Sequence, residues 1–221
     1  IAGPALEVAL VQGNIPQTIK WLPEQRKPTL DLYRDLSEPH WGKALVVWPE
    51  TAVPAFPVSV ASYISTLEQR AIDSGTTLLF GIVTNDQREH YNSLLAVGAR
   101  KGAYRKYHLV PFGEYMPLKP FSQFFANILN LPMSNLSKGK NNQKNIVIGN
   151  INIYPLICYE AAYPYLMNIK DDEFGIIVHI SNDAWFGNSG APFQHLQIAQ
   201  SRALESSKYL IRARSFKKDG G

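Results

Sequence analysis

Cysteine is nearly absent from this sequence, since Cys158 is the only one among 221 residues. A single cysteine excludes an internal disulfide and leaves the redox compartment open. Long apolar runs are also missing, because no stretch reaches the roughly 18 residues that a bilayer-spanning helix needs, and no signal peptide is visible. With 45% hydrophobic and 11% aromatic residues, the chain is not disordered. Its length and composition predict one large α/β domain over residues 1–221.

An excess of charge of one sign is missing too. The formal net charge is +4, from 22 basic and 18 acidic residues. The basic residues are dispersed or stand in short groups, such as Arg105-Lys106 and Lys217-Lys218. Such a distribution is too weak for a nucleic-acid footprint, so no nucleic-acid partner is expected, although an anionic membrane surface would be tolerated.

Metal-ligand patterns do not occur either. His108 and His195 are the histidines that invite such an interpretation, but their spacings match no known ligand motif. Both are interpreted as structural residues, and no metal or other cofactor is expected.

Short apolar runs rich in β-branched residues alternate with segments of helical periodicity, which predicts an α/β fold. The runs are almost continuously apolar, as expected for strands of sheets covered by helices. The predicted strands are Glu7–Gln12, Ala44–Trp48, Thr77–Val83, Ser93–Val97, Ile146–Ile148, Ile151–Ile157 and Gly175–Ile180. The predicted helices are Pro23–Leu36, Ser59–Ser74, Pro120–Leu129 and Pro192–Ser207.

Local signals place some of the boundaries. Ser59 is a candidate N-cap of the second helix, and Gly75 is placed to end it in a left-handed conformation. The pair Gly149-Asn150 lies between two apolar runs and predicts a two-residue hairpin turn.

Three reactive side chains follow apolar strands. Glu50 lies in "VVWPETAVP", Lys106 in "YRKYHLVPFGEYMP" and Cys158 in "ICYEAAYP". Taken singly, each has an ordinary explanation as a turn carboxylate, a surface lysine or a small core residue. Strand ends in α/β folds line functional crevices, however, so the three can converge. Together they form a nucleophilic set, because a carboxylate can take the thiol proton and a lysine can stabilise an oxyanion.

Glu50, Lys106 and Cys158, in this order and in these flanks, resemble the Glu-Lys-Cys triad of the nitrilase, or carbon–nitrogen hydrolase, superfamily. Together with "SNDAWFG" and "QHLQIAQSRALESSKYLIRA", the flanks closely resemble the periplasmic catalytic domain of bacterial apolipoprotein N-acyltransferases. The likeness runs from about Val8 to Ala213. It implies a nitrilase-like αββα sandwich of two mixed sheets flanked by helices.

The resemblance also implies an activity. Members of that family transfer a fatty acyl chain from a phospholipid, through a cysteine thioester, to the α-amino group of a diacylglyceryl-cysteine apolipoprotein. The expected location is the inner membrane of a Gram-negative bacterium, with this domain facing the periplasm. Cys158 would be the nucleophile, Glu50 the general base and Lys106 the oxyanion stabiliser, with the backbone N–H of Tyr159 as a second donor.

Further residues match family positions by the same resemblance. Glu114 would orient Lys106 or the incoming amine, although a loop glutamate is the ordinary alternative. Glu160 would brace the turn that carries the cysteine. Aromatic side chains, which could equally be core residues, would line the substrate pocket: Tyr159, Trp185 and Trp21.

The segment 111–143 is long for a connection and rich in apolar residues. Its phenylalanines, including Phe124 and Phe125, fall at helical spacing and form an apolar stripe. A stripe of this kind is often core, but here it leaves the Lys106–Glu114 turn directly. It is therefore interpreted as an inserted arm or lid that contacts the membrane surface and lipid acyl chains.

Two departures from the family pattern affect completeness. The family has several transmembrane helices ahead of this domain, and this sequence has none, which favours a soluble fragment or a partial chain. After Ala213 the family continues into closing strands, whereas this sequence reads "RSFKKDGG". The C-terminal part of the fold is therefore expected to be incomplete.

Two other functions stay open at this point. A nitrilase-type amidase that hydrolyses small amides would use the same triad with water as the acceptor. A catalytically silent fragment would keep the fold without the chemistry.

Overall fold

Nine strands form two mixed sheets in the part of the chain that the computed structural model describes, which is residues 5–115, 135–167, 174–187 and 189–216. In the first sheet, β1, β2 and β3 are parallel, and β4 and β5 follow as antiparallel strands. In the second, β6 is antiparallel to β7, and β7, β8 and β9 are parallel. The strands are β1 (Val8–Leu10), β2 (Leu45–Val47), β3 (Thr77–Asp86), β4 (Glu89–Gly98), β5 (Gly102–Arg105), β6 (Ile146–Ile148), β7 (Ile151–Ile157), β8 (Gly175–Asn182) and β9 (Tyr209–Ser215).

The two sheets pack face to face. Leu45 and Val47 of β2 contact a core shared with Ile153 of β7 and Val178 of β8. Val46, between the two β2 residues, points the other way and packs with the helices instead. This alternation is the period of two that a strand imposes on its side chains.

Helices cover the outer faces of both sheets. The helices are α1 (Pro23–Ser37), α2 (Ala61–Asp73) and α3 (Ala191–Glu205). Leu30 of α1 and Leu67 of α2 share a core with Trp48 and Phe80 on the first sheet. Ala199 of α3 packs on the second sheet with Leu156 and Ile177. The layers are therefore helix, sheet, sheet and helix, and the predicted αββα sandwich is confirmed.

The hairpin predicted at Gly149-Asn150 is confirmed, because Ile148 pairs with Ile151 across it and Gly149 has φ +60°. The predicted end of α2 is confirmed as well. Gly75 has φ +69° and its N–H donates to the Ile72 carbonyl, while the Thr76 N–H donates to the Ala71 carbonyl. These two bonds form a Schellman motif.

The prediction that Ser59 caps α2 is wrong. A short 3₁₀ helix, Pro57–Val60, precedes α2, and Val60 occupies the N-cap. The Ser59 hydroxyl donates to the Phe56 carbonyl at 2.8 Å and so stabilises the 3₁₀ turn. The helix predicted at Pro120–Leu129 lies outside the described residues.

The structure contains two features that the sequence did not predict. The strands β3 and β4 form a long hairpin that reaches Asp86 and Glu89, beyond the predicted strand ends at Val83 and Ser93. Strand β9 adds a parallel edge to the second sheet at Tyr209–Ser215. Arg212 to Ser215, around the point where the family likeness ends, therefore belong to a regular strand.

The strand ends bring the predicted reactive residues together. Glu50 follows β2, Lys106 follows β5 and Cys158 follows β7. Gly81 of β3 lies directly beneath the Glu50 turn, since a Cβ on it would stand 2.6 Å from the Glu50 Cα and 2.4 Å from the Thr51 nitrogen. Only a residue without a side chain allows this close approach.

We therefore expect Gly81→Ala to displace the Glu50 turn and destabilise the protein by about 1–3 kcal/mol, because the added methyl meets backbone that cannot move freely. Urea unfolding measures the change. Gly190→Ala is the matched control, since a Cβ there has open space and its φ of −72° suits any residue. Equal stability of the two variants would contradict this packing.

Candidate active site

Cys158 lies at the junction between β7 and a short 3₁₀ helix, Cys158–Ala162. Its φ is +52°, in the left-handed region that residues with a side chain seldom adopt. Such a conformation costs about 1–3 kcal/mol and persists only where the surroundings impose it. The sharp turn takes the cysteine out of the strand direction and places it at the base of a cavity, where it is partly exposed.

Glu160 fastens this turn. One carboxylate oxygen accepts the Ile157 N–H at 2.8 Å, just before the cysteine. The other accepts the Tyr104 hydroxyl at 2.8 Å and the Tyr107 N–H at 2.7 Å. Burial raises the pKa of Glu160, although these donors partly offset the effect. The Glu160 side chain thus connects the cysteine turn to the loop that follows Lys106 through hydrogen bonds.

Glu50 is held from three sides at the end of β2. Its Oε1 accepts a hydrogen bond from Asn92 Nδ2 at 2.7 Å, and its Oε2 accepts the Asn182 N–H at 2.8 Å. Below it, buried Lys20 donates to the Glu50 carbonyl at 3.3 Å and to Thr51 Oγ1 at 2.9 Å. These contacts fix the carboxylate in one orientation.

Lys106 is 1% exposed and lies between two carboxylates. Its Nζ is 2.8 Å from Glu114 Oε2 and 3.8 Å from Glu50 Oε1. Burial alone would lower the pKa of Lys106, but the nearby acidic groups, Glu114 first among them, outweigh burial and raise it above its usual value. The side chain is therefore a fixed positive charge at neutral pH.

Asn92, in the middle of β4, joins the two acidic residues. Its side-chain amide donates to Glu50 Oε1 at 2.7 Å and to Glu114 Oε1 at 2.8 Å. Glu114 also accepts the Val110 N–H at 2.8 Å. One neutral amide therefore spaces two carboxylates that would otherwise repel each other.

The thiol of Cys158 is neutral at rest. Burial raises the pKa of the Cys158 thiol to about 12, the Glu50 carboxylate adds to this, and the Lys106 ammonium partly offsets it. A resting thiolate, which a lowered pKa would supply, is therefore not what the site contains. The arrangement suits proton transfer from sulfur to a fixed carboxylate during attack on a substrate.

The cavity above these groups measures about 230 Å³. Glu50, Lys106, Glu114 and Cys158 lie at its base, and its walls include Val110, Trp185 and Phe186. Trp185 is 47% exposed, so the wall is open towards solvent. An apolar mouth above a buried charged base is suited to a substrate with an apolar group beside its reacting carbonyl.

The structure places the other predicted pocket residues elsewhere. The Tyr159 ring is 39% exposed and meets the Tyr163 ring edge-on at 5.3 Å, away from the cavity lining. Trp21 lines a different cavity of about 370 Å³, with Phe56, Val83 and Leu136. Phe124 and Phe125 lie outside the described residues.

The two histidines occupy different settings. His108 stacks on the Tyr163 ring, with centroids 4.0 Å apart. His195 is buried behind the cysteine turn, where its Nε2 is 3.0 Å from the Cys158 carbonyl oxygen. Across the described ranges, no cluster of three or more His, Cys, Asp or Glu side chains is arranged to hold a metal ion.

Several site residues are not among those that the sequence predicts. Lys20, Asn92 and His179 belong to ordinary-looking segments, and only their tertiary neighbours reveal them. Asn182 lies within the quoted "SNDAWFG" motif, but its contribution is a backbone N–H, which no side-chain pattern marks. A buried asparagine inside the apolar run "YNSLLAV" is the one signal that could have drawn attention to Asn92.

The two-sheet sandwich thus brings a cysteine, a lysine and two carboxylates together at its strand ends. The carbon–nitrogen hydrolase family model matches residues 7–220, and the chain belongs to that family. Among the residues described, no helix is both long enough and apolar enough to cross a membrane.

Curated relatives carry a more specific name. The chain is 41% identical over 218 residues to the apolipoprotein N-acyltransferase of Vibrio parahaemolyticus, with 94% of this chain and 43% of that protein covered. It is 40% identical over 215 residues to that of Methylococcus capsulatus, with 96% and 43% covered. The chain thus spans less than half the length of these relatives.

Solved structures share the fold at lower identity. A CN-hydrolase superfamily protein from Xanthomonas campestris has a TM-score of 0.70 at 19% identity, covering 95% of this chain and 76% of that chain. A variant amidase from Nesterenkonia, with acrylamide added at its active-site cysteine, has a TM-score of 0.66 at 16% identity, with 96% and 79% covered.

Asn92→Asp tests the spacing of the carboxylates. The new carboxyl would be buried between two acidic residues, so its folded-state pKa should rise by about two units or more. A raised folded pKa leaves stability intact at low pH and removes it as pH rises. We expect a loss of about 1 kcal/mol at about pH 4, because the protonated carboxyl replaces two N–H donors with one O–H. The loss should be about 3 kcal/mol greater at about pH 7, since each pKa unit is about 1.4 kcal/mol.

Thermal unfolding across this pH range measures the effect. Asn85→Asp, the same change at an exposed position of β3, is the control and should follow the wild type at every pH. If the stability of Asn92→Asp also follows the wild type, then Asn92 does not separate the two carboxylates.

Proposed function

We propose that this chain is the catalytic part of an N-acyltransferase that matures bacterial lipoproteins. In this proposal, Cys158 receives a fatty acyl chain from a phospholipid and passes it to the α-amino group of a diacylglyceryl-cysteine apolipoprotein. The observation that carries the proposal is the convergence of Cys158, Lys106 and Glu50 at the base of one apolar-walled cavity.

The first half-reaction forms the acyl-enzyme. Glu50 takes the thiol proton as the Cys158 sulfur attacks the ester carbonyl carbon of the phospholipid. The Lys106 ammonium and the Tyr159 backbone N–H stabilise the negative oxygen of the tetrahedral intermediate. When the intermediate collapses, the ester C–O bond breaks, and the glycerol oxygen leaves with the proton that Glu50 carried. The products are a lysophospholipid and a thioester.

The second half-reaction uses the same groups. The α-amine of the acceptor attacks the thioester carbonyl, Glu50 takes a proton from the nitrogen, and the C–S bond breaks. The sulfur recovers the proton from Glu50, so the site returns to its resting state. Glu114, paired with Lys106 at 2.8 Å, keeps the ammonium in place through both steps.

The identity of the acceptor separates this proposal from amide hydrolysis. The relatives at about 40% identity are named for N-acyl transfer to an apolipoprotein, whereas the amidases share the fold at about 16% identity. The apolar cavity walls at Trp185 and Phe186 suit a fatty acyl chain better than a small polar amide. The complete set of Glu50, Lys106 and Cys158 argues against a silent fragment.

The proposal places the protein at the inner membrane of a Gram-negative bacterium, with this domain in the periplasm. The segment 111–143 is proposed to reach the membrane surface and to bring Phe124 and Phe125 against lipid. Phe112, at its start, is 51% exposed, and Trp185 at the cavity wall is 47% exposed. Exposed aromatic side chains beside a cavity favour contact with an apolar partner.

Lys106→Met should abolish acyl transfer in the complete protein. The assay supplies vesicles of phospholipid with an isotope-labelled acyl chain and a synthetic diacylglyceryl-cysteine peptide. The wild type should place the labelled chain on the peptide amine. The variant should be slower by about 10³-fold or more, since loss of one oxyanion donor alone costs 10²–10³. Mass spectrometry of the peptide measures the rate.

Lys144→Met is the matched control, because it removes the same charge from an exposed position outside the cavity. It should leave the rate unchanged. Near-normal transfer by Lys106→Met would refute the role of that lysine. Release of free labelled fatty acid by the wild type, without any acylated peptide, would favour the hydrolase alternative.

A further inference from the structure

A second buried polar cluster lies against the cysteine turn. It consists of His179 from β8, His195 from α3, Ser181, Asp183 and Arg212. Neither half-reaction of the proposed transfer uses any of these side chains. Buried polar groups are costly unless they are paired, so a cluster of this size calls for an explanation.

Both histidines point at one atom. His179 Nε2 is 3.1 Å and His195 Nε2 is 3.0 Å from the backbone carbonyl oxygen of Cys158. A carbonyl oxygen has two lone pairs, so two N–H donors occupy its full capacity. The two imidazole rings stand nearly perpendicular, at 82°, with centroids 4.9 Å apart.

The surroundings of His179 set its tautomer. Burial lowers the pKa of His179 well below its usual value, and the neighbouring His195 and Arg212 lower it further. The ring is therefore neutral. Its Nδ1 is buried without a hydrogen-bond partner among the described residues. A neutral imidazole carries one N–H, and the carbonyl contact places that proton on Nε2.

His195 is oriented from behind by Asp183. Its Nδ1 is 3.0 Å from Asp183 Oδ1, and that oxygen also accepts the Ser181 hydroxyl at 2.6 Å. The other Asp183 oxygen accepts Arg212 Nη2 at 2.7 Å. These donors overcome the opposing effect of burial and lower the pKa of Asp183. Since the Asp183 carboxylate and the Cys158 carbonyl can only accept, His195 donates from both ring nitrogens, as an imidazolium does. The fixed carboxylate thus holds the ring with Nε2 directed at the Cys158 carbonyl.

The strained backbone of Cys158 gives these contacts a purpose. A residue with φ +52° returns to a relaxed conformation unless something holds it. We infer that His179 and His195 are positioning residues, which clamp the Cys158 carbonyl and thereby keep the nucleophilic sulfur aimed at Glu50 and Lys106. This inference rests on the proposed role of Cys158 as the nucleophile.

The clamp also joins the two halves of the site. The Asn182 N–H donates to Glu50, and the next residue, Asp183, orients His195. The adjacent residues Asn182 and Asp183 therefore help to position both the proposed general base and the turn that carries the proposed nucleophile.

Alkylation by iodoacetamide tests the clamp, because Cys158 is the only cysteine in the chain. His195→Gln keeps an amide N–H near the position of Nε2, whereas His195→Leu has similar bulk and no donor. The same pair is made at His179. We expect each Leu variant to alkylate about tenfold more slowly than the wild type, and each Gln variant to recover most of the rate, since one hydrogen bond accounts for a factor of about that size.

Two results would overturn the clamp. One is alkylation of the Leu variants at the wild-type rate or faster, and the other is an equal loss in the Gln and Leu variants. If a Leu variant does not fold, His195→Asn replaces it, because its amide is too short to reach the carbonyl. Asn slower than Gln then supports the clamp, and equal rates overturn it.

A separate arm tests the site on which the inference rests. Lys106→Met should slow alkylation of Cys158 whatever the histidine variants do, since it removes the charge that stabilises the sulfur anion. An unchanged rate in that variant would count against the proposed catalytic site. Slowing in Lys106→Met but not in the histidine variants would remove only the clamp.

Discussion

The ion pair between Lys106 and Glu114, at 2.8 Å, is the interaction on which the site depends. Two carboxylates and one ammonium are buried together at the edge of an apolar sandwich. Removing one partner of a buried pair leaves an uncompensated charge, which typically costs about 3–5 kcal/mol. Asn92 lets the second carboxylate, Glu50, share this space without touching the first. Glu50 is therefore held at a fixed distance from the lysine, 3.8 Å from its Nζ, by the Asn92 amide.

The raised pKa of the Cys158 thiol also follows from the number of charges buried in the site. A thiolate at rest would be a further anion in a cavity that already holds two, so burial and Glu50 keep the sulfur protonated. In the proposed mechanism, the thiolate is then created only when a substrate carbonyl is present to receive it. The fold supplies position instead of a resting charge: Glu160 braces one side of the cysteine turn, and the contacts to its carbonyl hold the other.

The sequence predicts the parts of this site that lie at strand ends. Glu50 and Cys158 each follow a recognisable apolar run and Lys106 directly follows a short strand, so their convergence could be expected before any coordinates. Asn92 could not be placed in the same way, because its meaning comes from two carboxylates 42 and 22 residues away. Local sequence patterns predict least well where a polar contact between neighbouring residues decides the structure. Ser59 is an example, because its hydroxyl stabilises the turn before α2 and does not cap the helix itself.

The central claim is that Cys158 stores an acyl group, and intact-protein mass spectrometry tests it most directly. The complete protein is incubated with phospholipid vesicles and no amine acceptor, so that the second half-reaction cannot proceed. The account predicts a mass increase of one fatty acyl chain on Cys158, removed by neutral hydroxylamine as expected for a thioester, and absent from Cys158→Ala. Normal acyl transfer by Cys158→Ala, with no acylated species trapped in the wild type, would contradict it.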